Sequence, residues 1–125
     1  MLRKQFILIC LGVVVLSVAG IALAKAVKVE LVPYGTAEPD ASGHAILNYA
    51  KGADKTEVQV NCWRLTPNTN YTVYLKNGGF YAVGDFTTRK NGSGNLHVRL
   101  MGDRSGDLPV AVNNTAANAT VLLGP

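Results

Sequence analysis

Cysteine is nearly absent, with only Cys10 and Cys62 in 125 residues. One disulfide is the most the chain could form, and none can form if the segment carrying Cys10 is removed. The fold must then hold by its core. Histidine is as scarce, with His44 and His97 only. Charged residues make up 16% of the chain and form no block of one sign, which argues against a polyelectrolyte tail or a basic stripe along a phosphate backbone. Helical periodicity is missing too. Beyond residue 24 no segment repeats apolar residues at three- and four-residue spacing over two turns. What remains is an all-β chain.

The one long hydrophobic run lies at the N-terminus. Arg3 and Lys4 precede the almost wholly apolar Phe6 to Val18, and Ala22-Leu-Ala24 supplies the small residues of a cleavage site, with Ala24-Lys-Ala26 as a shifted alternative. Residues 1–24 therefore read as a signal peptide, and residues 25–125 as a single β-sandwich domain. The competing reading is an uncleaved membrane anchor, because Phe6 to Ala24 gives 19 uncharged residues. Cys10 follows Leu8 and Ile9, so it lacks the small residue of a lipobox. Cleavage after Ala24 leaves 101 residues and lowers the net charge from +4 to +2. That near balance gives no drive toward nucleic acid or anionic membranes. The expected location is secreted, periplasmic or at the cell surface, with membrane contact only through an uncleaved leader.

What is present is alternation. Val27, Val29 and Leu31 oppose Lys28 and Glu30. After a loop from Pro33 to Gly43, Ala45, Leu47 and Tyr49 oppose His44, Ile46 and Asn48. Val58, Val60 and Cys62 alternate with Gln59 and Asn61, and Tyr71, Val73 and Leu75 with Thr72 and Tyr74. Asn77-Gly-Gly79 predicts a hairpin into Phe80 to Val83, with Gly84 at a bulge or bend. Asn91-Gly-Ser-Gly94 predicts a second hairpin, into a strand with Leu96, Val98 and Leu100 inward and Asn95, His97 and Arg99 outward. Leu108, Val110 and Val112 mark a seventh strand and Ala119 to Leu123 a last one. Seven to eight short strands between turn signals predict an antiparallel β-sandwich.

Between two of these strands stands Leu65-x-Pro67-x-Thr69-x-Tyr71. This spacing resembles the corner between the sheets of fibronectin type III and other immunoglobulin-like sandwiches. The resemblance implies that the Tyr71 hydroxyl reaches back to backbone just upstream and pins the crossover that Leu65 and Pro67 shape. It covers Val58 to Leu75. In that family a single strand follows the corner, whereas 50 residues follow Leu75 here. The later Gly84-Asp-Phe-Thr-Thr88, Asn91-Gly-Ser-Gly94 and Leu96-His-Val-Arg-Leu100 are similar in architecture to small secreted bacterial and archaeal β-domains, including relatives of the chordin-type repeat. The His-containing signature of that repeat is absent.

Reactive chemistry has little to work with. His44, Cys62, His97 and Met101 are the residue types of a blue-copper site. Cys62 and His97 nevertheless stand 35 positions apart with opposite strand parity. Asp103, Ser105 and Asp107 alternate around Gly106 as hard-cation ligands do, but further acidic ligands are missing and an Asx-type turn explains the same residues. No spacing suggests a nucleophile with a base, and no phosphate-cradling loop opens a helix. Arg89, Lys90, Arg99 and Arg104, with Tyr74 or Tyr81 for stacking, could suit nucleic acid, yet Asp85 and Asp103 lie among them. No cofactor is expected. Asn70, Asn91, Asn113 and Asn118 each open an Asn-x-Ser/Thr sequon, a glycosylation candidate in a eukaryotic secretory pathway or turn chemistry alone.

The reading that results is an exported, non-catalytic binding or structural module for a protein or glycan partner. Tyr74, His97 and Arg99 are its candidate contacts. A calcium-dependent domain using the 103–107 loop and an accessory subunit of an envelope enzyme are the alternatives. Mass spectrometry of the exported protein should show residues 1–24 removed. A mass retaining them would make the leader an anchor.

Overall fold

The alternating segments become eight antiparallel strands in the computed structural model, which describes residues 24–125. The expected leader lies outside the described residues, apart from Ala24. The strands are β1 (Ala24–Pro33), β2 (Ser42–Ala50), β3 (Lys55–Trp63), β4 (Asn70–Asn77), β5 (Gly79–Thr87), β6 (Gly94–Met101), β7 (Ala111–Asn114) and β8 (Ala119–Leu123). Hydrogen bonding links them in the order β5-β4-β7-β8-β1-β2-β3-β6, one sheet that nearly closes. β1 is the fold line. Its residues 24–31 pair with β2, while Val32 and Pro33 pair with β8. One layer is thus β1-β2-β3-β6 and the other β1-β8-β7-β4-β5. The chain crosses between them at β3–β4, β5–β6 and β6–β7, which is immunoglobulin-like connectivity.

The two-residue period decides what is buried. Ala45 and Leu47 of β2, Val58 and Val60 of β3, Tyr71, Val73 and Leu75 of β4, Val112 of β7 and Leu122 of β8 are fully buried, and Cys62 nearly so. Each such aliphatic side chain contributes about 1.5–3 kcal/mol. An exposed ion pair contributes about 0–1 kcal/mol, so the interior and not the surface charge carries stability. Gly94 is required where the edge strands β5 and β6 approach without pairing: a Cβ there would lie 2.4 Å from the Phe86 ring.

Two expectations change, and the bulge expected at Gly84 is found beside it. Asn91 to Gly94 does form a turn, with Arg89 N–H donating to the Ser93 carbonyl at 2.8 Å, but β5 and β6 belong to opposite layers, so it is a crossing and not a hairpin. The cause lies elsewhere in the chain: Leu65 N–H donates to the Gly92 carbonyl at 3.0 Å, drawing this loop onto the β3–β4 corner. Gly92 has φ of 81°, and a Cβ there would sit 2.3 Å from the Leu65 carbonyl oxygen. The irregularity of β5 is a register shift opposite Val73 and Tyr74 that leaves Val83, next to Gly84, as the extra residue. The seventh strand starts at Ala111 and not at Leu108, because Pro109 has no N–H for a ladder.

At the corner, the Tyr71 hydroxyl accepts from Thr66 N–H at 3.1 Å and donates to Glu38 Oε2 at 2.6 Å. Thr66 N–H also reaches Glu38 Oε1, at 2.8 Å. Buried Thr88 completes the tie, its Oγ1 donating to the Thr66 carbonyl at 2.6 Å and accepting from Thr69 N–H at 3.0 Å. Pro67 fixes its own φ, and Asn68 follows at φ 53°, a value Asn tolerates. The Tyr71 ring stacks on Phe86, with centroids 5.7 Å apart. Tyr71→Phe should cost about 1–2 kcal/mol, because Thr66 N–H keeps Glu38 as its acceptor. Tyr71→Ala, which also opens a cavity, should cost roughly 3–5 kcal/mol. Chemical denaturation measures both, and a harmless Tyr71→Ala would contradict the role given to this corner.

Candidate functional site

The candidate contacts do not lie together. His97 and Arg99 project outward from β6, on the β1-β2-β3-β6 layer, whereas Tyr74 projects outward from β4 on the opposite layer. Glu57, across from Arg99 on β3, takes up both basic groups: Arg99 Nη2 donates to Oε2 at 2.8 Å, and His97 Nε2 lies 3.5 Å from Oε1. Arg99 first, and His97 after it, hold the Glu57 carboxyl below its usual range. Glu57 thus pairs the basic groups of this face, while Trp63 and Met101 stay exposed on it. A hollow of about 280 Å³ between Asn48, Ala50, Ala53, Lys55, Glu57 and Arg99 lies on it, but its carboxylate is already paired and its lining has no aromatic wall.

The copper-type residues are separated as well. His44 is outward, 3.3 Å from Asn61 Nδ2 and against the Trp63 ring at 5.2 Å. Cys62 is buried on the other side of the same layer, and burial pushes its thiol up to about 12. Met101 is exposed.

In the 103–107 loop, Asp103 accepts from Lys25 Nζ at 2.7 Å and from Ser105 Oγ and N–H at 2.6 and 3.0 Å. Lys25 first, then Ser105, hold its carboxyl down at about 2. Asp107 accepts from the Tyr81 hydroxyl at 2.5 Å and from Asn77 Nδ2 at 3.3 Å, with Arg104 Nη1 3.6 Å away. Each of the four carboxylate oxygens thus already accepts from a protein donor. Among the described residues no three His, Cys, Asp or Glu side chains are grouped to hold a metal. The loop is also an anchor for β3. Thr56 Oγ1, buried on β3, accepts from Arg104 N–H at 2.8 Å and donates to the Gly102 carbonyl at 2.7 Å. The basic residues considered for nucleic acid are spread out, with Arg89 and Lys90 in the loop before β6, Arg99 on it and Arg104 in the loop after it. Arg89 is tied to Ser93 and Asn95, while Arg104 lies over the Tyr81 ring.

A concavity with aromatic walls lies on Tyr74's face. Strand pairing sets Ala82, Tyr74, Ala111, Leu123 and Val32 side by side across five strands, β5-β4-β7-β8-β1. All five face outward because Val73, Leu75, Val112, Leu122 and Leu31 face in. Above the nearly covered Ala111 opens a cleft of about 180 Å³, lined by Tyr74, Phe80, Ala111, Asn113, Asn118 and Thr120. Phe80 is 51% exposed, and Lys76 Nζ sits 5.4 Å from its ring centroid. Thr120 Oγ1 donates to Asn113 Oδ1 at 2.9 Å. Sequence reasoning reached Tyr74 but read Asn113 and Asn118 only as sequons and missed Phe80 and Thr120. The register shift between Val112 and Asn113 is what brings Thr120 opposite Asn113, and nothing in the local alternation announces it. No protein-family model matches the chain, and no curated protein matches it significantly.

Burial also raises the Tyr71 and Tyr81 hydroxyls to about 12, with the Glu38 and Asp107 carboxylates adding to the shift. With Cys62, these groups bind protons more tightly in the folded chain than in the unfolded one. Their stabilisation is therefore complete below their ordinary values and is lost as pH rises through about 12. Denaturation midpoints should fall steadily above pH of about 9–10. Tyrosinate absorbance should show part of the tyrosine titrating only with unfolding. A stability flat to pH of about 12 would contradict this.

Proposed function

We propose that this is an exported, non-catalytic β-sandwich that binds a partner outside the cytoplasm through the outward face of β5-β4-β7-β8. The observation carrying the proposal is the contrast between the two faces. One sets Arg99 and His97 against the Glu57 carboxylate, with Trp63 and Met101 exposed singly, and the other presents the apolar row and the cleft at Tyr74 and Phe80. Interfaces draw their energy from aromatic anchors more than from rim charges that are already paired. Catalysis fits poorly with the residues present. The Cys62 thiol, at about 12 and buried, gives almost no thiolate at neutral pH. The histidines stand on separate strands, β2 and β6, with β3 between them. The corner's resemblance to fibronectin type III supports the architecture and by itself no particular partner.

Because Tyr74 and Arg99 lie on opposite faces, two single variants distinguish the faces. In pull-downs from the native envelope fraction, Tyr74→Ala should lower partner capture while Arg99→Ala leaves it unchanged, both with near-normal unfolding midpoints. The reverse pattern would move the site to the β6 face. Capture insensitive to both would favour a purely structural role.

A further inference from the structure

Building on that reading of the Tyr74 face, we infer that the cleft between Tyr74 and Phe80 is a subsite for one neutral sugar ring of a glycan. Size sets the first limit. At about 180 Å³ the cleft is smaller than the roughly 300–1,000 Å³ of sites that enclose a whole small molecule, so it takes one ring-sized unit of a larger ligand. Charge sets the second. All six lining residues are uncharged, and the ammonium of Lys76 at the rim is engaged over the Phe80 ring. An ionised group entering the cleft would lose water without meeting a counter-charge among the lining residues.

The chemistry of the lining selects among neutral ligands. Tyr74 and Phe80 offer flat π-faces whose negative potential attracts the weakly positive C–H groups of a pyranose face. Asn113, Asn118 and Thr120 add groups that both donate and accept, which is what vicinal hydroxyls need, since each hydroxyl also does both. The Thr120 bond uses the Asn113 amide oxygen and leaves its N–H groups as donors. Ala111 supplies a floor with no side chain large enough to fill the space. Beyond the cleft, the row continues from Ala111 through Leu123 to Val32, which is 57% exposed. From Tyr74 that is three strand spacings, about 14 Å, so further sugar units have apolar surface to lie on.

The test is calorimetric titration of the purified protein with cellotetraose, xylotetraose, mannotetraose and chitotetraose, and with a decaproline peptide as the aromatic-groove competitor. At least one tetrasaccharide should bind. Tyr74→Ala and the more exposed Phe80→Ala should each weaken it roughly tenfold or more. Asn113→Ala should weaken it less, and Trp63→Ala, on the opposite layer, should leave it unchanged. Phe80→Ala keeps the test valid if Tyr74→Ala unfolds. Binding of none of the sugars overturns the inference, as does sugar binding indifferent to Phe80→Ala, decaproline binding alone, or native glycosylation of Asn113 or Asn118 in the intact mass. If sugars fail while Tyr74→Ala still abolishes envelope capture, the glycan assignment falls and the binding face stands. If capture is insensitive as well, both fall.

Discussion

The Tyr71 hydroxyl sits between a backbone N–H and a carboxylate, and three separate parts of the chain meet there. Thr66 belongs to the β3–β4 crossing, Glu38 to the β1–β2 loop, and Thr88, bound to the Thr66 carbonyl, to the β5–β6 crossing. A domain with a single buried cysteine has no internal disulfide to hold its crossings. Hydrogen bonds at a partly buried corner take that role, and they are strong because one partner carries charge. The arrangement also explains why the 91–94 turn cannot make a hairpin. With Gly92 bound to Leu65, the turn sits on the β3–β4 corner and the next strand pairs with β3 on the other layer.

The opposite end of the sandwich repeats the device with different residues. Tyr81 donates to Asp107 much as Tyr71 donates to Glu38, and the β6–β7 crossing is tied to β1 through Lys25 and Asp103 and to β3 through Thr56. In both places a tyrosine on the β5-β4-β7-β8-β1 layer fixes a loop by bonding a carboxylate. The same charge-assisted bonds that tie down the 102–110 crossing fall on the oxygens that make it look like a cation loop. A structural task and a metal task compete there for the same lone pairs.

With both ends held, the two sheet faces are free to differ. On the β6 face, Arg99 and His97 both lie against the Glu57 carboxylate, so the pull of Arg99 on a partner is small and salt-screened. On the β4 face, small residues alternate with large ones across the strands, and the gap above Ala111 becomes a cleft. Exposed apolar area of this kind costs solubility unless something covers it, whereas paired charge does not.

The sequence by itself settled whatever depends on neighbours in the chain. The two-residue alternation of Val58, Val60 and Cys62 or Tyr71, Val73 and Leu75 determined strand and inward face, because side chains must point alternately. Asn77-Gly-Gly79 determined a hairpin, because Gly78 supplies the positive φ, here 79°. The Leu65-to-Tyr71 spacing located the corner between layers. Only the tertiary structure decided what depends on partners far apart in the chain. Glu38 reaches Tyr71 across 33 positions, and Asp107 and Tyr81 meet across 26. Tyr74 and Arg99 look equivalent as outward strand residues, yet they face opposite ways because the chain changes layers between them. The cleft needs Tyr74, Phe80, Asn113 and Thr120 side by side. Register shifts in β5 and β8 create that adjacency, and register is set by which long-range pairing buries the most apolar surface, a quantity no local window contains.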